Sequence, residues 1–288
     1  MTENPLANLG ELTRPASVLV EKISDAVGGV FKPYQIVRVA RAEAAAERIQ
    51  AEGRIQVTDL QRRAMHRFLE EEAKKQSNIE AVTQKALPLL DEKSCPQNVE
   101  DDWITNFFDR SRIISDEAMQ KLWSKLLASE ANCLGTISKR TVNLLSDLDK
   151  RDAEQFMRLC GFAWVISNSI VPLVFDVRQE IYGRSEVYFN LLSHLETLGL
   201  IQFENFAGFK FTKLPQKVTV YYYDAPLELT LPNEFDNDLA VGTVLLTRAG
   251  HDLARICGCQ AADGFFDDVY DIWANRSLVP KREQGPAS

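Results

Sequence analysis

Three histidines and five cysteines are the residues of this 288-residue chain that could carry the most diagnostic chemistry. His66, His194 and His251 lie far apart, and none stands at a helical interval from another that would put two imidazoles on one zinc ion. Cys257 and Cys259 flank a single residue, closer than the ligand pair of a zinc knuckle. With no second cluster beside them they read as ordinary thiols in or near a core. Five scattered cysteines, an odd number, fit a reduced compartment better than a disulfide framework. The carboxylate pairs Asp101–Asp102 and Asp267–Asp268 suit helix starts and solvated faces better than acid–base work. The sequence contains no G-x-S-x-G elbow, phosphate-binding loop, dinucleotide fingerprint or kinase signature. It therefore predicts no catalytic, cofactor-binding or metal-binding residues and a protein that is not an enzyme. Activity would need a site assembled from dispersed positions.

Charge narrows the partners. Thirty-three Lys and Arg against 41 Asp and Glu give a net charge of −8, which argues against a generally nucleic-acid-binding surface. From Asp224 to Ile272 ten acidic residues face two basic ones, Arg248 and Arg255, where a DNA-docking face needs cations for phosphates. The arginines of residues 34–76 are interleaved with glutamates, the pattern of a solvated helix with internal ion pairs. The N-terminus shows no basic stretch followed by an apolar core, so a cytoplasmic location is expected. The longest apolar run, residues 161–175, is broken by Ser167, Asn168 and Ser169 and is too short for the ~20 residues of a spanning helix. It is expected to be buried, with Pro172 kinking or ending it.

The elements that would hold any site are mostly helical. A first helix from Thr13 and Pro15 places Leu19, Ile23, Val27 and Val30 on one face, closed by Phe31. The simplest reading docks this helix on its own domain. The sharper readings make Leu19, Ile23, Val27, Val30 and Phe31 a partner-binding surface or a peripheral membrane contact. Tyr34 to Gln76 is polar and alanine-rich, a long arm or a pair of helices broken at Gly53, with too little apolar surface for a private core. Such an arm predicts a homo-oligomer. Ser77 to Leu90 reads as a separate helical piece.

The strongest helical writing runs from Asp101 to Asp152. Met119, Leu122, Trp123, Leu126 and Leu127 form a core-facing stripe, with Ser115 as expected N-cap. Trp103, Phe107, Trp123 and Leu126 are the predicted structural core. From Ser185 the texture changes. SEVYFNLLSHLETLG reads as one helix with Tyr188 inward, LIQFENF and FKFT as a hairpin, then two strands, a last strand GTVLL and a helix capped by Thr247. The fold class is therefore mainly α: a helical N-terminal arm and a central helical bundle, followed by a small α+β winged-helix-like module. Residues 1–90 form the arm, 91–184 the central helical domain, 185–276 the α+β module and 277–288 a polar tail.

The block DDWITNFFDRSRIISDEAMQKLWSKLLASEANCLGTISKRTVNLLSDLDKRDAEQF, with the later LETLGLI and LLTRAGHDLARI, resembles the bacterial domain of unknown function 2806 family. The opening PASVLVEKISDAVGGVFKPYQIVRVARAEAAA resembles the start of abortive-infection alpha proteins. The resemblance implies a non-secreted prokaryotic protein acting in antiphage defence. It carries across no catalytic residues. The expected function is that of a non-enzymatic interaction or effector protein that oligomerises through its N-terminal helices, with a protein partner the sequence does not identify. A winged-helix nucleic-acid-binding regulator is the alternative.

Overall fold

The computed structural model describes residues 12–28 and 58–281. The chain divides between Ser146 and Asp147 into two compact units. The cut falls inside the segment 91–184 read above as one helical domain, because the chain changes from all-helical packing to sheet packing there.

The first unit is all α. Helix α1 (Arg14–Ala26) buries Ala16, Leu19, Val20 and Ile23 against α3 (Asp101–Ser111) and the turn Pro96–Asn98. Helix α2 (Asp59–Ala86) opens on a capping box in which Thr58 and Gln61 satisfy each other's backbone N–H groups. It continues through Ser77 without a break, so the described end of the expected arm and the piece after it are one helix. Its C-terminal half packs on α4 (Glu117–Asn132), where the Ser124 hydroxyl donates to the Val82 carbonyl at 3.0 Å. Asp116, not Ser115, caps α4, accepting from Met119 N at 3.0 Å. The cap shifts one residue because only position 116 places its side chain on the first free N–H groups. Helix α5 (Lys139–Asp147) completes the unit.

Trp103, Phe107, Trp123 and Leu126 are all buried in this unit. Trp103 stacks on Phe107 at 5.2 Å, and Phe107 meets Trp123 edge-on at 5.1 Å. The Trp103 indole donates to the Ile137 carbonyl at 2.9 Å. Glu130, buried on α4, accepts from the backbone N–H groups of Gly135 and Ile137 at 2.8 and 2.7 Å.

The second unit is α+β. Asp149 caps α6 (Lys150–Cys160) through a capping box with Asp152. The apolar run that follows is not a helix. It is the hairpin β1 (Ala163–Ile166) and β2 (Ser169–Pro172), turning at Ser167 and Asn168, both with positive φ. Two short helices follow, α7 (Glu180–Arg184) and α8 (Phe189–Thr197). Glu186 takes a φ of 57° between them, so the helix expected from Ser185 begins only at Phe189, and Tyr188 faces outward at the start of α8.

Strands β3 (Ile201–Phe203) and β4 (Phe209–Leu214) do not pair with each other as the sequence suggested. β3 pairs with β8 (Val244–Leu246), and β4 pairs with β7 (Asn237–Gly242), because the chain from β4 to β7 folds back as one long ribbon. Between them β5 (Lys217–Tyr222) and β6 (Ala225–Thr230) form a hairpin that joins the first one in an antiparallel sheet of order β2-β1-β5-β6. Val174 bridges Gly242, whose φ is 96°, so closely that a Cβ there would stand 2.3 Å from the Val174 carbonyl oxygen. Thr247 caps α9 (Arg248–Ala254), and α10 (Phe265–Asn275) buries Phe265, Val269 and Trp273 under the sheet. Trp164 packs edge-on to Trp273 at 5.0 Å and stacks on Tyr222 at 5.1 Å. Past α10 the chain returns along β6, where Thr230 N donates to the Leu278 carbonyl at 2.8 Å.

Candidate functional site

Two features of the structure offer chemistry or binding, one in each unit. Neither is the face of α1. Leu19 and Ile23 are fully buried within their own unit, and Val27 is half-buried at the helix end. The expected partner or membrane surface is therefore occupied by α3 and the Pro96 turn, which take up the apolar stripe directly. Val30 and Phe31 lie outside the described residues.

The first feature is on α2. Ile79, Val82, Thr83 and Ala86 are buried against the unit. At 100° per residue the same side of the helix carries Leu60, Ala64, Met65, Phe68 and Leu69 in its N-terminal half. There the stripe is open: Leu60, Met65, Phe68 and Leu69 are 69, 61, 57 and 56% exposed. The flanking charges come in blocks, Arg62, Arg63 and Arg67 before Glu70, Glu71 and Glu72. Within the helix Arg63 pairs with Asp59 at 3.3 Å and Arg67 with Glu71 at 3.4 Å, both exposed, and Glu72 pairs with the half-buried Lys75 at 2.6 Å. Such pairs are worth a few tenths of a kcal/mol, roughly 0.3–0.5, so they are free to be exchanged.

The second feature is a cluster of three thiols beside an open cleft of about 680 Å³ in the second unit. Cys160 ends α6 and is fully buried. Cys257 and Cys259 lie in the loop between α9 and α10, near enough to Cys160 for the three thiols to influence one another's charge, and the Cys257 thiol donates to the Ala254 carbonyl at 3.4 Å. The loop is held against the end of α6 by Ala262 N, which donates to Gly161 O at 3.1 Å, and by the Tyr222 hydroxyl, which donates to Gly161 O at 2.7 Å. Cys257 and Cys160 form the inner side of the cluster. Cys259 is half-exposed and lines the cleft with Arg158, Arg184, Glu186 and Asp263. The Tyr223 hydroxyl reaches Cys259 Sγ at 3.3 Å.

This arrangement separates the thiols electrostatically. Burial pushes Cys160 well up. Cys257 is pushed up to about 11: the neighbouring Cys160 thiol favours its thiolate, but Cys259 and burial outweigh that. Cys259 is pushed down to about 3, by the neighbouring Cys160 thiol first, then by Cys257 and the hydrogen bond from Tyr223. The cluster titrates as a unit, and its first negative charge resides on Cys259. Among the described residues no group of three or more His, Cys, Asp or Glu could hold a metal ion. The separation of Cys160 from the other two in sequence hid this cluster. The Cys257–Cys259 spacing was visible but carried no signal without its third member.

Residues 62–270 match a family described as a protein of unknown function (DUF2806). The chain belongs to that family. The DUF2806 segment takes in most of α2, the tryptophan-centred core, and all three thiols with Tyr223, and leaves α1 outside. No curated protein and no solved structure matches the chain. Among the described residues no helix is long and apolar enough to cross a membrane.

Proposed function

We propose that this protein is an interaction or effector protein that self-associates through the exposed face of α2, with a second copy of the chain as the occupant. The observation that carries this reading is the exposed apolar group on α2: Leu60, Met65, Phe68 and Leu69 lie on the side of the helix that is buried from Ile79 to Ala86, and are open to solvent. A helix end with its apolar side exposed gains by pairing. The charge blocks choose the partner. In an antiparallel pair centred on Arg67, Arg62 and Arg63 of one copy stand opposite Glu72 and Glu71 of the other, and Met65 opposite Leu69, on both sides of a two-fold axis. The exposed seam is self-complementary in both its apolar and its charged positions. Light scattering on the full chain tests this. Phe68→Asp should convert the dimer to monomer while leaving the fold of its own unit intact, since Phe68 is 57% exposed there. A wild-type protein that is monomeric at tens of micromolar, on the order of weak specific association, overturns it. The antiphage role rests on the resemblance of the opening segment to abortive-infection alpha proteins. Phage plating on cells carrying wild type or Phe68→Asp tests it, and loss of protection in the variant links it to assembly.

The winged-helix arrangement is a reading of the second unit, and α8 followed by the β3–β8 pair, with the long ribbon between, favours it. In that reading α8 would be the recognition helix. Its exposed residues are Phe189, Asn190, His194, Glu196 and Thr197, with no Lys or Arg among them. A helix in a major groove needs cations for the flanking phosphates. The unit therefore fits a protein partner better than nucleic acid. A gel shift with generic DNA at low salt that shows binding, steeply lost on adding salt, would reverse that assignment.

A further inference from the structure

We propose that Cys259 and Cys160 form a peroxide-reactive site, with Cys259 the attacking thiolate at the cleft and Cys160 the resolving thiol behind it. Three placements support it. Cys259 is the thiol of the cluster that faces solvent, in the wall of a polar cleft lined by Arg158, Arg184 and Glu186. The Tyr223 hydroxyl, 3.3 Å from its sulfur, donates to it as a thiolate. Cys160, on a different element, is buried against it, and Gly161 and Ala262 hold the two backbone segments side by side. Cys257 is the poorer resolving group because a bond to Cys259 would close a strained ring across one intervening residue.

The cleft is open and lined with charged and small residues, so it admits a small, polar oxidant; a low-molecular-weight hydroperoxide fits. The Cys259 thiolate attacks one peroxide oxygen. An S–O bond forms, the O–O bond breaks, and the departing hydroxide or alkoxide takes up a proton. Sulfur is oxidised by two electrons to the sulfenic acid, and the peroxide is reduced. The Cys160 thiol then gives up its proton and attacks the Cys259 sulfur. An S–S bond forms, the S–O bond breaks, and water leaves. The net change is two thiols and one peroxide to one disulfide, one water and one water or alcohol. The Tyr223 hydroxyl stabilises the thiolate, so the reduced state is favoured and the disulfide is readily reduced again. The site is thus suited to reversible oxidation, and closure of the disulfide withdraws Cys259 from the cleft wall.

The exposed Cys95 and Cys133 provide internal references in the same chain. Wild-type full-length protein is alkylated with iodoacetamide at mildly acidic pH, where an ordinary thiol of pKa about 8.5 is protonated. Cys259 should react at least ~10-fold faster than Cys95 or Cys133. Treatment with hydrogen peroxide should then yield a Cys160–Cys259 cross-linked peptide on mass mapping, reversed by dithiothreitol. Cys160→Ser should stop the reaction at the sulfenic acid, trapped by dimedone on Cys259. Cys259 reacting no faster than Cys95 and Cys133, or a peroxide product that maps to Cys257–Cys259 or to no pair at all, overturns the proposal. The alkylation and mapping arms use the unaltered protein, so misfolding of a variant does not leave the result open.

Discussion

Glu130 Oε2 accepts the backbone N–H of Ile137 at 2.7 Å, and the Ile137 carbonyl in turn accepts the Trp103 indole N–H at 2.9 Å. A buried carboxylate thereby fixes a loop that fixes a core tryptophan. Its other oxygen takes Gly135 N at 2.8 Å, so the loop from Cys133 to Ser138 is held at two points. Removing such a group leaves the buried Ile137 N–H unsatisfied and frees the partly buried Gly135 N–H. We expect Glu130→Ala to lower the stability of the first unit by about 2–4 kcal/mol in denaturant melts. Glu130→Gln keeps one acceptor oxygen and should lose less than half as much. Equal losses in the two variants would show that the charge, rather than the loop's hydrogen bonds, is what matters.

The burial of α1 makes a second prediction. Ile23 is fully enclosed by α3 and the Pro96 turn, so Ile23→Asp places an unpaired carboxylate in an apolar contact. The cost, roughly 3–5 kcal/mol, is of the order that detaches a single docked helix. Limited proteolysis should then cut near residues 12–28 well before the rest of the chain, where wild type resists. Should Ile23→Asp keep the protease resistance and melting behaviour of wild type, α1 does not depend on that face.

His251 gives a pH signature. Its Nε2 accepts the backbone N–H of Ile170 at 3.2 Å, which requires the neutral ring. Burial, and then the nearby Arg255, hold its pKa below the ordinary value, with Asp252 opposing. The sign follows: in the unfolded chain histidine takes up its proton near about 6.5, while the folded chain resists until lower pH. The stability this provides is present above that value and is lost as pH falls from there towards the lowered folded pKa. Thermal midpoints should drop on acidification across that window in wild type. His251→Gln, whose amide oxygen can still accept from Ile170, should flatten that part of the profile. An unchanged slope in the variant assigns the drop to other groups.

The helices of the first unit were legible because their periodicity is local: Met119, Trp123, Leu126 and Leu127 announce the buried side of α4 with no other information. The run from Gly161 to Phe175 was not, since an apolar stretch of that length reads as helix or strand alike. What decides it is the pair Ser167–Asn168, which takes positive φ to turn the hairpin. Strand pairing was beyond reach for a different reason. β3 and β4 are neighbours in sequence, yet each finds its partner some forty or thirty residues on, in β8 and β7, because register follows burial and not proximity. The thiol site failed in the same way. Its two visible members sit two apart in one loop, and the third, Cys160, arrives only when α6 and that loop are packed together.

The return of the chain along β6 sets an order of events during synthesis. β6 is an outer strand of the four-stranded sheet, and its Thr230 N–H is taken by the Leu278 carbonyl, with Leu278 and Val279 buried there and Pro280 O held by the Tyr270 hydroxyl at 2.9 Å. None of those covering residues exists when β6 is made. At about 5–20 residues per second the strand waits roughly 2–10 s for them. Over that interval a bare edge is open to strands of other nascent chains. Glu228, paired across the hairpin with Lys217 at 3.0 Å, sets a charged pair beside that edge. Charge on an edge strand disfavours the stacking of one unfinished sheet on another.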